Sequence, residues 1–333
     1  LILPSLRPAW AAGLCLVALY ACADFGVVES FGTRTLTQAI FFEQTLLEQN
    51  RDLAWGRSAL LALVLLCIAL PLYVTDRVTR KKARYEQTRG EARRSGPKKP
   101  SFRHLTLIWL GVTLVAGPTS LLVLFRCVAY LSELQDSQRI WFNAFAAMQN
   151  SILWSVAAAT AAALGAVFIS WIANRSKVKA NRHLIPLSSF GYVLPGPVVA
   201  LGLLIVVGGL FPLRSTLYGT SIVLIFAYVV RFLPEALQST ETGIAQVPRT
   251  LEEAAQTLGA SPLEALIRVT APIMSGSLLA AWLLVFTASM RELPATLLLK
   301  PLGTRTLSTE IWKYAQDSWY ADMAPSALLL IGV

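Results

Sequence analysis

The chain has 333 residues, of which 55% are hydrophobic and only 14% are charged, whereas soluble globular domains carry about 25% charged residues. This composition excludes an ordinary cytosolic enzyme and favours a bundle of membrane-spanning helices. The net charge is +10, and residues 76–104 hold eleven Lys and Arg against three acids, so one segment carries most of the excess.

Apolar segments recur along the whole chain, and a membrane-spanning helix needs about 20 mostly apolar residues. Candidate spans lie at residues 5–23, 53–75, 104–130, 150–173, 184–208, 217–238 and 274–290, and an eighth begins at Ala321 and is cut by the end of the chain at Val333. The fifth contains Pro195 and Pro197, which membrane helices tolerate when neighbours satisfy the freed backbone groups. The predicted fold class is an all-α, polytopic membrane protein.

Lys and Arg residues are concentrated in two of the short loops, 76–104 and 174–183. Cytoplasmic loops are enriched in these residues, so both loops are predicted to face the cytoplasm. Alternation of the spans then places 239–273 on the same side and 131–149 outside. The 76–104 run could be interpreted as a nucleic-acid site, but its position between two spans favours a basic linker, and we expect no nucleic-acid partner.

An internal repeat links the two ends of the chain, because Gly32–Leu36 and Gly303–Leu307 share the sequence Gly-Thr-Arg-Thr-Leu. Each copy follows an apolar span that opens after a proline and ends at an acid twenty residues later. The prolines are Pro4 and Pro272, and the acids are Asp24 and Glu292. Both spans run from inside to outside, so the pattern predicts parallel repeats, which in transporters enclose a pathway at their interface.

The repeat divides the chain into three parts, and we expect the chain to be a piece of a longer protein. Residues 1–75 are predicted to be the C-terminal part of a first repeat with two spans. Residues 76–104 are the cytoplasmic linker, and residues 105–333 are a second repeat with about six spans, the last of them truncated.

The segment 248–272 between the sixth and seventh spans predicts two short helices separated by a turn. Two capping boxes fit the helix starts: Thr250 with Glu253, and Ser261 with Glu264. Gly259 is placed to end the first helix in a left-handed conformation.

Three interpretations of this helical pair are open. It resembles a DNA-binding helix-turn-helix, but residues 241–272 carry two arginines against four glutamates, and binding DNA requires positive charge. It could be a hairpin that covers the bundle. Alternatively, its small residues beside acids would let a short helix enter a groove on a cytoplasmic partner.

The motif Glu253-Ala254-Ala255, followed after three residues by Gly259, resembles the EAA loop of importer-type ABC transporter permeases. The family pattern ends in Ile-x-Leu-Pro, where this chain has Thr270-Ala271-Pro272 preceded by Val269. The resemblance implies a helical bundle of the type I importer kind in the bacterial inner membrane. It also implies that Glu253, Ala254, Ala255, Gly259 and Pro272 couple the permease to a separate ATP-binding subunit, expected in two copies, and that a periplasmic substrate-binding protein delivers the substrate.

A narrower resemblance concerns the residues after the seventh span. Arg291–Leu299, with Glu292-Leu293-Pro294, is similar to the fused two-repeat permeases for ferric iron, and Ala23–Gly26 looks like the matching block of the first repeat. This resemblance implies ferric iron as substrate, with thiamine or another small solute as the alternative, because thiamine permeases carry similar blocks.

Asp24 and Glu292 occupy equivalent positions in the two repeats, and carboxylates suit hard cations such as Fe³⁺. With Pro294 they are our candidate pathway residues. The alternative is that each acid caps a helix or pairs locally, Glu292 for instance with Arg291 or Arg305.

Other function classes find little support in the sequence. An ion-coupled transporter needs ionisable groups deep in its spans, and we interpret Arg231 and Glu235, spaced i to i+4 near an inner end, as a local ion pair. A membrane structural or sensor protein is the third hypothesis. The two histidines and four cysteines have no metal or catalytic spacing, and no phosphate-binding Gly-rich loop occurs. We therefore expect no catalytic residue, no metal site, no cofactor and no ATP hydrolysis by this chain.

Overall fold

The computed structural model describes residues 7–30, 32–45, 51–89, 102–176, 178–209, 217 and 219–333, and within them every regular element is helical. The first helices are α1 (Arg7–Ala23), α2 (Gly26–Ser30), α3 (Leu36–Thr45), α4 (Arg51–Arg89) and α5 (Phe102–Leu131). They are followed by α6 (Ser137–Arg175), α7 (Leu184–Ser188), α8 (Gly196–Gly209), α9 (Ser221–Gln246), α10 (Arg249–Thr257) and α11 (Pro262–Ala265). The last are α12 (Ser275–Met290), α13 (Pro294–Leu299), α14 (Leu307–Gln316) and α15 (Tyr320–Gly332).

Four helices in the described residues, α4, α5, α6 and α9, are long and apolar enough to cross a membrane, and the number rises to six if two bent helix pairs each count as one span. Shorter apolar helices lie at Gly13–Ala23 and Tyr320–Gly332. The prediction of an all-α polytopic membrane protein is confirmed. The repeat proline Pro4 and residues 90–101 of the predicted linker lie outside the described residues.

Three helices extend beyond their predicted spans. Helix α6 begins at Ser137, so much of the predicted 131–149 loop is helical, and α9 continues to Gln246. Helix α4 runs on to Arg89, well into the predicted basic linker. The physical reason is that an apolar run marks only the part of a helix that lies in hydrocarbon, while the hydrogen-bonded backbone continues into the polar region. Asp136 begins α6 by accepting a bond from the Arg139 backbone N–H at 3.4 Å.

The predicted fifth span, 184–208, is not one helix. Residues Leu184–Val193 and Gly196–Gly209 meet at an angle of 109°. The break falls at Pro195-Gly196-Pro197, where two residues lack the N–H that a continuous helix requires. Just before it, Gly191 lies so close to α9 that a Cβ there would collide with the Val230 carbonyl oxygen.

The core of the second half forms where α6, α9 and α12 pack together. Helix α6 contributes a face of small residues with almost no exposed surface: Ala147, Ala158, Ala159, Ala162 and Ala166. Small residues let helix backbones approach closely, which is how membrane helices associate without a hydrophobic driving force. In the first half, α1 and α3 pack against α4.

Candidate functional site

The segment between α9 and α12 forms the predicted pair of short helices. Helix α10 ends at a left-handed turn in which Gly259 has φ of +95°. Helix α11 starts with a complete capping box, in which the Ser261 N–H donates to a Glu264 carboxylate oxygen at 2.8 Å and the Glu264 N–H donates to Ser261 Oγ at 3.3 Å. A π-helical turn over Leu266–Thr270 and the short helix Ala271–Ile273 follow, and an 82° bend leads into α12.

Two of the three predicted features of this loop are confirmed, and one is wrong. The Ser261 capping box and the left-handed Gly259 are as predicted. Thr250 does not cap α10, because the helix starts at Arg249 with Pro248 at its N-cap position and no side-chain capping bond. The fixed φ of proline already sets the chain direction there, so the helix begins one residue earlier than a Thr250 cap requires.

Glu252 anchors the loop to the end of α6. Its carboxylate accepts two bonds from Arg175 Nε, at 3.0 and 3.2 Å, and one from Thr270 Oγ1 at 2.7 Å. Arg175 also donates to the Val247 carbonyl oxygen at 2.9 Å. Both charged side chains are largely buried, and a buried carboxylate with this many donors holds its neighbours in one arrangement. The contact joins the 174–183 loop to 239–273, two segments predicted to share a side.

The opposite face of the loop points away from the protein. Glu253, Ala254, Gly259 and Pro272 are exposed, and Ala255 is half-buried. Four large apolar side chains share this exposure: Leu251 (43%), Leu258 (90%), Leu263 (52%) and Ile267 (60%). Hydrogen bonds from Ser261 lower the pKa of the exposed Glu264 carboxyl, so this face stays acidic. A polar cavity of about 800 Å³ opens beside it, between the end of α6 and α10.

The two copies of the repeated block have matching backbone geometry. Gly32 and Gly303 are left-handed, with φ of +65° and +78°, and the helices that follow begin at the equivalent residues Leu36 and Leu307. Thr37 Oγ1 donates to the Asp24 carbonyl oxygen at 3.0 Å, and Ser308 Oγ donates to the Glu292 carbonyl oxygen at 3.0 Å. These bonds join equivalent positions, so the repeat seen in the sequence is also a repeat in structure.

Glu292 is buried and forms a salt bridge with Arg231 of α9. Its carboxylate also accepts a bond from the Ala295 backbone N–H at 3.2 Å, at the start of α13. The local partners considered from sequence are wrong: Arg291 donates to the Thr287 carbonyl oxygen, and Arg305 pairs with Glu310 at 3.5 Å. A Cβ on Gly196 would strike both members of the ion pair, so the broken helix packs directly against it.

The predicted local pair of Arg231 with Glu235 is also wrong. Arg231 turns to Glu292, while Glu235 accepts a bond from the Tyr20 hydroxyl at 3.2 Å. Both residues lie near the middle of α9, because this helix continues from Ser221 to Gln246, beyond the predicted span. Sequence reasoning missed Tyr20 and Glu252 because their partners are 215 and 77 residues away. The available signal for Tyr20 was its partner Glu235, an acid in a largely apolar segment of α9.

Equivalent residues of the two repeats touch each other. Phe41 and Trp312 are 271 residues apart, the same offset as the two Gly-Thr-Arg-Thr-Leu blocks, and their rings meet edge to face at 5.7 Å. Glu29 accepts bonds from Trp312 Nε1 at 2.6 Å and Gln316 Nε2 at 2.7 Å. Residues that contact their own equivalents lie beside a pseudo-two-fold axis, so that axis passes close to this aromatic pair.

Long apolar helices, two sharply bent helix pairs and a projecting loop between spans define a multi-pass membrane transport component. Residues 165–333, just over half of the chain, match the family of binding-protein-dependent transport system inner membrane components, and the chain belongs to that family. Its members lie in the inner membrane, in agreement with the apolar helices.

Several curated proteins are similar to this chain. The Fe(3+)-transport system permease protein FbpB 2 of Haemophilus influenzae is 29% identical over 99% of the chain and 64% of its own length. The ferric transport system permease protein FbpB of Actinobacillus pleuropneumoniae is 23% identical over 100% of the chain and 50% of its own length. A probable molybdenum ABC transporter permease of Haloferax volcanii is 29% identical over 70% of the chain and 87% of its own length. The chain therefore spans about half to two-thirds of the two ferric relatives.

Proposed function

We propose that this chain forms part of the permease of an ATP-driven importer, and that its 248–272 loop binds a separate ATP-hydrolysing subunit. One observation carries the proposal. The loop is fixed to the membrane helices through the buried Glu252–Arg175 pair, while its other face exposes apolar and small side chains. An anchored element with an unpaired apolar face is suited to pass movement of a partner to the helices above it.

The coupling residues in this proposal are those on the exposed face: Glu253, Ala254, Ala255, Gly259 and Pro272. Two ATP-binding subunits and a periplasmic substrate-binding protein complete the proposed assembly. The family description, which names a binding-protein-dependent system, supports the substrate-binding protein as a partner.

Ferric iron is the proposed substrate. The similarity to ferric permeases over essentially the whole chain supports it. The molybdenum permease, which aligns over most of its own length, favours an oxyanion as the second candidate, and the thiamine alternative rests on sequence resemblance alone.

The proposed route runs between two repeats, formed by residues 1–75 and 105–333 and joined by the 76–104 linker. The matched bonds at Asp24 and Glu292 support the pairing of the repeats. We place Asp24, Glu292 and Pro294 beside the route, with Glu292 acting through Arg231.

The test reconstitutes the full-length permease with its ATP-binding subunit and binding protein in proteoliposomes. Uptake of ⁵⁵Fe should require ATP and survive collapse of the proton gradient, and excess molybdate should not compete. If collapse of the proton gradient alone stopped uptake, ATP coupling would be contradicted. If molybdate competed with iron for uptake, the substrate would be an oxyanion and not ferric iron.

The loop itself is tested by Gly259→Val, which strains a left-handed turn by about 1 kcal/mol or more. Gly219→Val is the matched control, because Gly219 also has positive φ and an open Cβ position but lies at the other end of α9. We expect only Gly259→Val to weaken binding of the ATP-binding subunit and uncouple transport. Equal behaviour of the two variants would contradict docking through the loop.

A further inference from the structure

Three oxygen-bearing side chains from different parts of the chain meet at the interface of the proposed repeats. Tyr20 comes from α1, Tyr192 from the turn before the helix break, and Glu235 from the middle of α9. The Tyr20 hydroxyl donates to Glu235 Oε1 at 3.2 Å, and the hydroxyls of Tyr192 and Tyr20 are 3.5 Å apart. We call these three residues the oxygen cluster.

We propose that the oxygen cluster is a transient binding site for Fe³⁺ on its way through the membrane, an inference that rests on the proposed function. Phenolate and carboxylate oxygens are hard donors that suit a hard cation. A small hard cation bound octahedrally at about 2.0–2.1 Å keeps neighbouring ligand oxygens about 2.9 Å apart. The Tyr20–Glu235 and Tyr192–Tyr20 oxygen spacings, 3.2 and 3.5 Å, are close to this.

The charge balance of the cluster also fits a trivalent ion. Two phenolates and one carboxylate carry three negative charges, which equal the charge of Fe³⁺. When the ion binds, two oxygen–iron bonds replace the two phenolic O–H bonds, and the two protons pass to water in the route. The resulting site is neutral, which is the least costly state for an ion that crosses a membrane.

Two guanidinium groups lie near Glu235, those of Arg231 and Arg291. Arg231 is neutralised by its salt bridge with Glu292, and Arg291 is exposed and bonded to the Thr287 carbonyl oxygen. Glu292 therefore has a role outside the cluster. Its salt bridge neutralises the positive charge of Arg231, so that Arg231 does not repel the cation.

Space for the ion is present at the same place. A cavity of about 40 Å³ is lined by Tyr20, Tyr192, Glu235 and Arg231 together with Gly191, which is room for about three water-sized species. Tyr20 itself is half-exposed, at 51%. The break at Pro195 follows directly, and irregular backbone of this kind occurs at membrane depth where it lines a cavity.

The binding test uses ferric nitrilotriacetate as probe, titrated into the purified full-length transporter. We expect a tyrosinate-to-iron absorption band that disappears in the Tyr20→Phe/Tyr192→Phe double variant. Glu235→Gln should lower the affinity at least by the ~10–100-fold that loss of a supporting ligand contact costs. A band that is absent from the unaltered protein, or unchanged in the double variant, overturns the site.

Tyr73→Phe is the matched control. Tyr73 also packs edge to face on an aromatic ring of the 189–193 turn, at 6.2 Å from Phe190, and its hydroxyl bonds to the Pro186 carbonyl oxygen. The Tyr73→Phe variant should keep the absorption band and full ⁵⁵Fe uptake, whereas the uptake of the double variant should fall at least tenfold. Failure of the unaltered transporter to import iron removes the proposed function. Normal import by both the unaltered transporter and the double variant removes the oxygen cluster alone.

Discussion

The block from Asp24 to Leu36 and the block from Glu292 to Leu307 share a backbone frame, but their acids have different surroundings. In both, a left-handed glycine precedes a threonine-capped helix, and a hydroxyl bonds to the carbonyl of the acid. The Glu292 side chain is buried and paired with Arg231, while Asp24 is only half-buried. The repeated sequence therefore specifies the frame, and each copy adds its own side-chain role.

The largest expected difference between the copies concerns the acids themselves. Glu292→Gln leaves Arg231 buried without a counter-charge, which costs about 3–5 kcal/mol. Asp24→Asn keeps the backbone carbonyl that accepts the Thr37 bond, so it should cost less than ~1 kcal/mol. Denaturant titration of the purified protein in mixed micelles measures both. Similar losses for the two variants would contradict the different roles of the acids.

A compensating pair sharpens this result. The double variant Arg231→Met/Glu292→Leu removes both charges and should recover most of the lost stability, because apolar residues often replace a buried ion pair without cost. If the double variant is as unstable as Glu292→Gln, the loss of stability has another origin, such as the hydrogen bond that Glu292 accepts from the Ala295 N–H.

The threonine caps should differ by a smaller amount. Thr306 Oγ1 accepts a bond from the Thr309 N–H at 3.3 Å within a reciprocal capping box, and Thr306 is 2% exposed. Thr35 Oγ1 accepts a bond from the Gln38 N–H at 3.4 Å, and Thr35 is half-buried. Thr306→Ala should cost about 1–2 kcal/mol and Thr35→Ala about 0.5–1 kcal/mol. The same titration compares them, and a larger loss at Thr35 would reverse the assignment.

The two left-handed glycines should behave alike. A Cβ at Gly32 or at Gly303 meets no other atom within 4 Å, so only the backbone conformation opposes a side chain there. Gly32→Ala and Gly303→Ala should each cost about 1 kcal/mol. Asparagine, which tolerates this conformation, should cost less at both sites. Costs that differ by more than the error of the titration would show that the frames are not equivalent.

The smallest expected effect depends on pH and belongs to the second block alone. Burial lowers the pKa of Lys300 from its ordinary value of 10.5. The unfolded chain then holds more protons than the folded one between the lowered pKa and 10.5, so stability rises with pH across that window. Solvent screens this half-exposed group, and the rise is small. Lys300→Met should remove it, as seen in unfolding midpoints measured from neutral pH upward; an unchanged pH slope would refute the effect.

Local features of the fold could be predicted from the sequence, whereas the partners of side chains that contact distant parts of the chain could not. The apolar runs, the Ser261 capping box and the left-handed Gly259 depend on residues within a few positions of one another. The partners of Glu252 and Glu292 depend on how helices pack, which spacing along the chain does not encode. The break at Pro195 was visible as Pro-Gly-Pro, but whether a membrane helix bends or breaks depends on what its neighbours offer the freed backbone groups.

The most direct test of the account concerns the axis between the repeats. Phe41→Cys and Trp312→Cys, in full-length protein without Cys15, Cys22, Cys67 and Cys127, are joined by a short cleavable bis-maleimide, and ⁵⁵Fe uptake is measured before and after cleavage. Trp141→Cys with Phe145→Cys, whose rings are also 5.7 Å apart but lie on one helix, is the control. We predict that cross-linking positions 41 and 312 stops uptake, that cleavage restores it, and that the control pair changes nothing. Continued uptake through a transporter cross-linked at positions 41 and 312 would contradict a route between the repeats.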